Sequence, residues 1–263
     1  MDDRAHLGGA DPVMGHAKRR FVPFLGFVAL AVLLGACGPA PMGGRELPAL
    51  DTSEAGVAFS ADFLIADADF EDGSFLTAAA IQDFFEKTPY GAASFLATYT
   101  ERGRRAADLL AEVAAKHRVS ALWLLARLER DGALLAARRY PAEAKDVEYV
   151  FSYGCSGRSL CDPTFGGLGL QLDALAGEWR RALVDLRAAG ISANGFAAGT
   201  AASTLDGVVV TPASTATAAL YSVEPIARGL GGGHEQTWRI YRAYPAYVGY
   251  VPGENPSVQA PAP

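Results

Sequence analysis

The stretch VSALWLLARLERDGALL, Val119 to Leu135, decides how the chain is read. At helical period Leu124, Leu125, Leu128 and Leu135 share a face with one of Asp131 or Gly132. Ser120 stands where an N-cap belongs, with a hydroxyl that can accept from a free N–H of the first turn. The spacing predicts a mostly buried helix with two acids, Glu129 and Asp131, at its far end. Those acids admit two readings. Either both lie on the wet side of the helix, where charged groups ordinarily sit, or one is desolvated at the end of an apolar helix and held protonated as a general acid.

The same periodicity continues on both sides. Phe75–Lys87 sets Ile81, Phe84 and Phe85 at i, i+3 and i+4, and Pro89 and Gly91 end that helix. After Ser94–Tyr99, residues 101–117 read as a helix with Ala106, Leu109, Leu110, Val113 and His117 on its inner face; His117 reads as a partner for the helix C-terminus. Residues 136–170 are rich in turn formers and hold Cys155 and Cys161. Phe165–Leu172 leads into a helix through Leu186, built on Leu172, Leu175, Trp179 and Leu183. Residues 188–210 read as a surface loop. Pro212 opens a short helix, Ala213–Tyr221, from its first turn, and His234–Tyr244 is the last helix. No alternation is long enough for a sheet, and there is neither an internal repeat nor a phosphate-cradling loop. The class is mainly α.

The composition bounds the function. The chain has 263 residues, half of them hydrophobic, with a formal charge of −6; that suits one domain with a real core, or two small ones. Residues 1–37 hold four cationic and three acidic side chains, which leaves 19 Lys and Arg against 26 Asp and Glu. A nucleic-acid binder needs a basic face, and this chain has none in prospect. A glycan is compatible with the acidic balance, because sugars are read by hydrogen bonds and stacking.

The amino terminus reads as an address. Lys18-Arg19-Arg20 precedes FVPFLGFVALAVLLGAC, a basic segment and a short apolar run of the secretory kind. Leu34-Gly35-Ala36-Cys37 resembles a bacterial lipobox, which implies removal of residues 1–36 and lipidation of Cys37. Gly38 in place of Asp points to the outer membrane, facing the periplasm, in an organism with two membranes. Residues 37–74 read as a tether with short ordered pieces near Val57–Ile65, residues 75–248 as the folded domain, and 249–263 as a disordered tail. Cys155 and Cys161 are the only other cysteines. In an exported chain they read as a disulfide, and with no His or further Cys beside them they fall short of a zinc set.

The order of motifs carries a resemblance. IQDFFEKTPYGAASFLATY, AADLLAEVAAKHRVSALWLLARLERDGALL, FSYGCSGRSLCDPTFGGLGLQL, VTPASTATAALYSVEP and TWRIYRAY, over about residues 75–245, resemble a family of exported bacterial proteins with a lysozyme-like domain. The resemblance implies a lysozyme-like helical domain with long irregular loops and little sheet. It also implies peptidoglycan as the substrate class, cleaved by a glycosidase or lytic transglycosylase. The family's catalytic-looking Glu falls on Asp131 and its Gln on Glu129, so the acid is one methylene short and a Glu stands two residues earlier. Positions two apart on a helix point about 200° apart, so Glu129 does not replace the missing side chain. Gly167–Leu172 also resembles the glycan-lining segment of lytic transglycosylases; alternatively it is a Gly-rich turn before a helix.

Cleavage of a glycosidic bond needs a protonated carboxyl beside the leaving oxygen, kept so by apolar surroundings. Asp131 among Leu128, Leu134 and Leu135 is the first candidate and Glu129 the second; Tyr153 and Gln171 are the candidates for substrate hydrogen bonds. Asp162 and Asp173 read as a loop acid or an N-cap. Tyr90, Trp179 and Trp238 are either sugar-stacking residues or, for the tryptophans in particular, core. No metal or cofactor is called for. The expected partners are peptidoglycan glycan and, through Cys37, a membrane. The alternative is a non-catalytic lysozyme-like envelope protein that binds wall glycan or a protein partner; the Asp at 131 favours it. Asp131 is expected to face the same groove as Gln171, partly buried, with leucines around it and few cationic partners.

Overall fold

The computed structural model describes residues 58–156, 160–229 and 232–249. The leader, the lipobox with Cys37, the first part of the expected tether and the tail beyond 249 lie outside the described residues.

The chain is mainly helical: α1 is Asp67–Glu71, α2 Ala78–Glu86, α3 Ala106–His117, α4 Ala121–Gly132, α5 Lys145–Glu148, α6 Leu168–Ala189, α7 Thr215–Val223, α8 Gly233–Ala243 and α9 Pro245–Val248. Among the described residues, sheet is confined to three antiparallel pairs. These are β1 (Thr100–Glu101) with β2 (Arg104–Arg105), β3 (Cys155–Ser156) with β4 (Leu160–Cys161), and β5 (Ala202–Ser203) with β6 (Val209–Val210). No helix among the described residues is long and apolar enough to cross a membrane.

The central helix starts as its sequence predicts. The Ser120 hydroxyl accepts from the Trp123 N–H at 3.4 Å. Its burial goes further than an amphipathic pattern: every residue from Ala121 to Glu129 is buried, Arg127 and Glu129 included. A helix buried all round is the centre of a domain, with neighbours on each side. Here α4 lies against α8 and α3, and α6 lies against α3 and α7. The two tryptophans read as core or sugar platform are core: Trp179 is fully buried and Trp238 nearly so.

Several boundaries differ from the sequence reading. The segment 58–74 is not a tether. Leu64, Ile65 and Phe70 are buried. The Leu64 N–H donates to Thr217 Oγ1 at 3.1 Å, Ser214 donates to the Ile65 carbonyl at 2.7 Å, and Glu71 pairs with Arg180 and Arg187 on α6. Gly73 lies so close to α3 that a Cβ there would run into the Ala114 carbonyl. The domain therefore begins well before residue 75. Its partners lie about 110–150 residues away, which is why Gly/Ala/Asp-rich composition alone suggested a linker.

The helix expected over 101–117 begins at Ala106, because Arg102 and Gly103, both at positive φ, turn β1 into β2 first. Pro212 lies outside the first turn of α7. Ser214 caps that helix instead, accepting from the Thr217 N–H at 3.0 Å. In the expected surface loop 188–210, Phe196 and Val210 are buried. The next turn is pinned by Asp206, which accepts from the N–H groups of Ala227, Arg228 and Gly229.

Cys155 and Cys161 form a disulfide. They face each other across β3 and β4 with Cα atoms 3.9 Å apart. The bridge staples one hairpin and leaves the distant parts of the chain unlinked.

Candidate functional site

The end of α4 carries both candidate acids, and the helix turns them in opposite directions. Asp131 belongs to an ionic group of four. Its Oδ2 accepts from Arg127 Nε at 3.0 Å and lies 2.9 Å from Arg127 Nη2, the i to i+4 spacing of one helix face. Its Oδ1 accepts from Arg130 Nε at 2.7 Å. Both arginines reach on to Glu224, just past α7: Arg130 Nη1 donates to Oε2 at 2.8 Å, and Arg127 Nη1 lies 3.1 Å from the same oxygen as an ion pair without hydrogen-bond geometry. Arg130 Nη1 also meets the Gly233 carbonyl and Thr237 Oγ1, both at 3.1 Å. The residue Asp131 is exposed through its backbone, while its side chain is 16% exposed. The Arg127 and Arg130 side chains are 8% and 6% exposed.

Two guanidiniums and two carboxylates balance to zero. Burial opposes the charge of Glu224, but Arg127 and Arg130 outweigh it and hold its pKa down to about 2. His234, fully buried, extends the group: its Nε2 lies 2.8 Å from the Glu224 carbonyl oxygen. Burial pushes His234 down to about 4, with Arg130 and Arg127 acting in the same direction and Glu224 against it. The expectation for Asp131 was leucine surroundings and few cations. The structure corrects it: both oxygens accept from guanidiniums of a charge-balanced group.

Glu129 takes the opposite side and is fully buried. Its Oε2 accepts from the N–H groups of Leu135 and Ala136, at 2.8 and 3.1 Å. These belong to the turn that follows Ala133, which ends α4 in the left-handed conformation. The Tyr90 hydroxyl lies 3.3 Å from the Tyr244 hydroxyl and close enough to Glu129 to feel its charge. Burial first, and then the Glu129 charge, push the Tyr90 phenol up. Tyr90 thus serves an internal network rather than a sugar platform. Glu129 closes the end of the central helix and offers nothing to a polymer outside.

Gln171 and Tyr153 are also turned inward. Gln171 is fully buried. Its Oε1 accepts from the N–H groups of Phe151 and Tyr153 at 3.2 and 3.1 Å, and its Nε2 donates to the carbonyls of Tyr153 and Phe165, both at 2.9 Å. Those four bonds fill the capacity of a side-chain amide. The Tyr153 hydroxyl donates to Glu178 at 2.6 Å. The two residues read as substrate binders clamp the cysteine-bearing segment onto α6. Asp173, read as a loop acid or an N-cap, sits within α6, where Lys116 and His117 both approach its Oδ1 at 2.7 Å.

The structure does bring Asp131, Tyr153 and Gln171 around one segment. The Arg127 guanidinium that holds Asp131 sits over the rings of Phe151 and Trp179, 5.9 and 5.8 Å from their centroids, and the Tyr153 hydroxyl feels the charges of Arg127 and Asp131. Glu129 is not part of that group. The residues that sequence reasoning missed are Arg130, Glu224 and His234. The Arg–Asp spacing on α4 is a local signal for the first half of the group; nothing in the sequence links it to Glu224, 94 residues away from Arg130. No set of three His, Cys, Asp or Glu among the described residues is arranged to hold a metal ion. No family model matches the chain, and no curated protein and no solved structure is significantly similar to it.

Proposed function

We propose that this chain is a lipid-anchored protein of the bacterial cell envelope that binds wall glycan through a lysozyme-like helical domain without cleaving it. One observation carries the choice against catalysis: both oxygens of Asp131, the acid at the expected place, accept from arginines in a charge-balanced group. The second acid, Glu129, is enclosed by backbone N–H groups and Tyr90. The envelope reading rests on the leader and lipobox ending at Cys37, and the glycan reading on the ordered motifs between residues 75 and 245. The stapled hairpin suits an oxidising compartment.

The reading is tested on purified sacculi. The full chain is expected to co-sediment with them and to release no soluble muropeptides, with Asp131→Asn and Glu129→Gln indistinguishable from wild type. Release of muropeptides by the wild type, lost in Asp131→Asn, would overturn it in favour of a glycosidase or lytic transglycosylase. Failure to co-sediment would remove the glycan as partner. Intact-mass analysis tests the anchor separately: an unmodified Cys37, or retained residues 1–36, contradicts it.

A further inference from the structure

His234 sits where a proton is poorly accommodated. It is fully buried, in the first turn of α8, with Nε2 2.8 Å from the Glu224 carbonyl oxygen. A carbonyl can only accept, so Nε2 carries the hydrogen of the neutral ring and Nδ1 is the bare nitrogen. Nδ1 is buried and has no hydrogen-bond partner among the described residues. A second proton would enter there and find no acceptor.

The groups that face the ring come from several elements. From α4 come Arg127 and Arg130, and from the end of α7 comes Glu224. Tyr221, on α7, meets the imidazole edge-on with ring centroids 4.8 Å apart. Glu224 attracts a proton to His234, but both arginines already share that carboxylate. With Asp131 those four charges sum to zero, so a protonated His234 leaves the group one positive charge in excess. On α8 itself Glu235 is engaged with Arg228 and Arg239. The amino-terminal end of a helix also carries about half a positive charge and repels a cation in its first turn. Burial, Arg130 and Arg127 together outweigh Glu224 and hold the imidazole at about 4.

The turn that carries His234 is seated by polar contacts that can open. The His234 and Glu235 N–H groups donate to the carbonyls of Ile226 and Ala227, at 3.1 and 2.9 Å. Arg130 Nη1 reaches the Gly233 carbonyl and Thr237 Oγ1. Gly232 and Gly233, at φ +83° and +51°, lead into the turn, a joint with no side chain to resist rotation. The large apolar residues of α8, Trp238, Ile240 and Tyr241, come after it, so the turn can lift without uncovering them.

We propose that His234 is an acid-operated latch: a proton taken up at Nδ1 frees the first turn of α8 from the 224–227 segment while the rest of the domain stays folded. In the freed turn the imidazolium meets water, which supplies the acceptor that the packed site lacks. The same movement takes Gly233 and Thr237 away from Arg130 and opens one side of the ionic group to solvent. The latch stands apart from the wall-glycan reading, and testing it needs no wall.

The test is native-state hydrogen exchange of the full chain, read by NMR on the His234 and Glu235 amides and corrected for intrinsic rates, with amides of α6 as reference. Protection of the two α8 amides is expected to fall about tenfold per pH unit between about pH 6.5 and 4, the signature of an opening that takes up one proton. Added urea should hardly change it, because a small opening exposes little surface, whereas the α6 amides should follow global unfolding. In His234→Gln, whose amide can still donate to the Glu224 carbonyl, the pH dependence should be lost. Protection that does not change with pH after correction, or a urea dependence equal to that of α6, would each overturn the proposal in the wild type alone, whether or not the variant folds. A pH dependence that persists in a folded His234→Gln would overturn it as well.

Discussion

Two carboxylates two residues apart on one helix meet two different kinds of partner. Glu129 is fully buried and its Oε2 accepts from two backbone N–H groups; Asp131 has a more open side chain and accepts from guanidiniums. The difference follows from the roughly 200° that separates positions i and i+2. One side of the helix end faces its own returning chain, whose N–H groups need an acceptor. The other side faces α7 and α8, whose Glu224 needs a cation. An acid at the end of an apolar helix is thus claimed by whatever polar groups the neighbouring chain brings to its side, and here both acids are.

The largest effect is expected on the arginine side. Arg130→Ala removes one of the two cations shared by Asp131 and Glu224 and leaves buried charge poorly compensated. A loss of about 3–5 kcal/mol, measured by urea unfolding, is expected for breaking a buried pair of this kind. A loss near zero would mean that the group of four contributes nothing, and the contrast between the two acids would collapse.

The same side sets the pH response. His234 has a folded pKa of about 4 against an ordinary 6.5. Above 6.5 it is neutral in both states and contributes no pH dependence. As pH falls from 6.5 toward 4 the unfolded chain takes up a proton that the folded chain refuses, so stability falls, by about 3 kcal/mol at the lower end. Glu224, lowered from 4.5 to about 2, contributes stability above 4.5 and adds a further loss below it. Unfolding measured across this range should show the slope between pH 6.5 and 4.5 flatten in His234→Gln.

The smallest effects sharpen the comparison directly. Glu129→Ala leaves the N–H groups of Leu135 and Ala136 without an acceptor, with an expected loss of about 2–3 kcal/mol. Glu129→Gln keeps an acceptor oxygen and should lose about 1 kcal/mol. Asp131→Asn, at the more open position, should also lose about 1 kcal/mol. If thermal or urea unfolding ranks Asp131→Asn above Glu129→Ala, the fully buried side is not the more constrained one.

The sequence by itself determined what depends on near neighbours. Ser120 caps α4 because a hydroxyl three residues before a free N–H reaches it without help. The inner faces of α3 and α6 follow helical period, and two cysteines six apart in an otherwise thiol-poor stretch pair across a hairpin. Even the separation of Glu129 from Asp131 is a matter of helix geometry. The tertiary structure decided everything that needs a distant partner: Glu224 against Arg130, Thr217 against the Leu64 N–H, Gln171 turned inward to hold Phe151, Tyr153 and Phe165. A carboxylate or an amide looks the same in a sequence whether it waits for a ligand or completes a fold. Which of these it does depends on the polar groups that the packed helices bring within about 3 Å of it, and no local pattern encodes that distance.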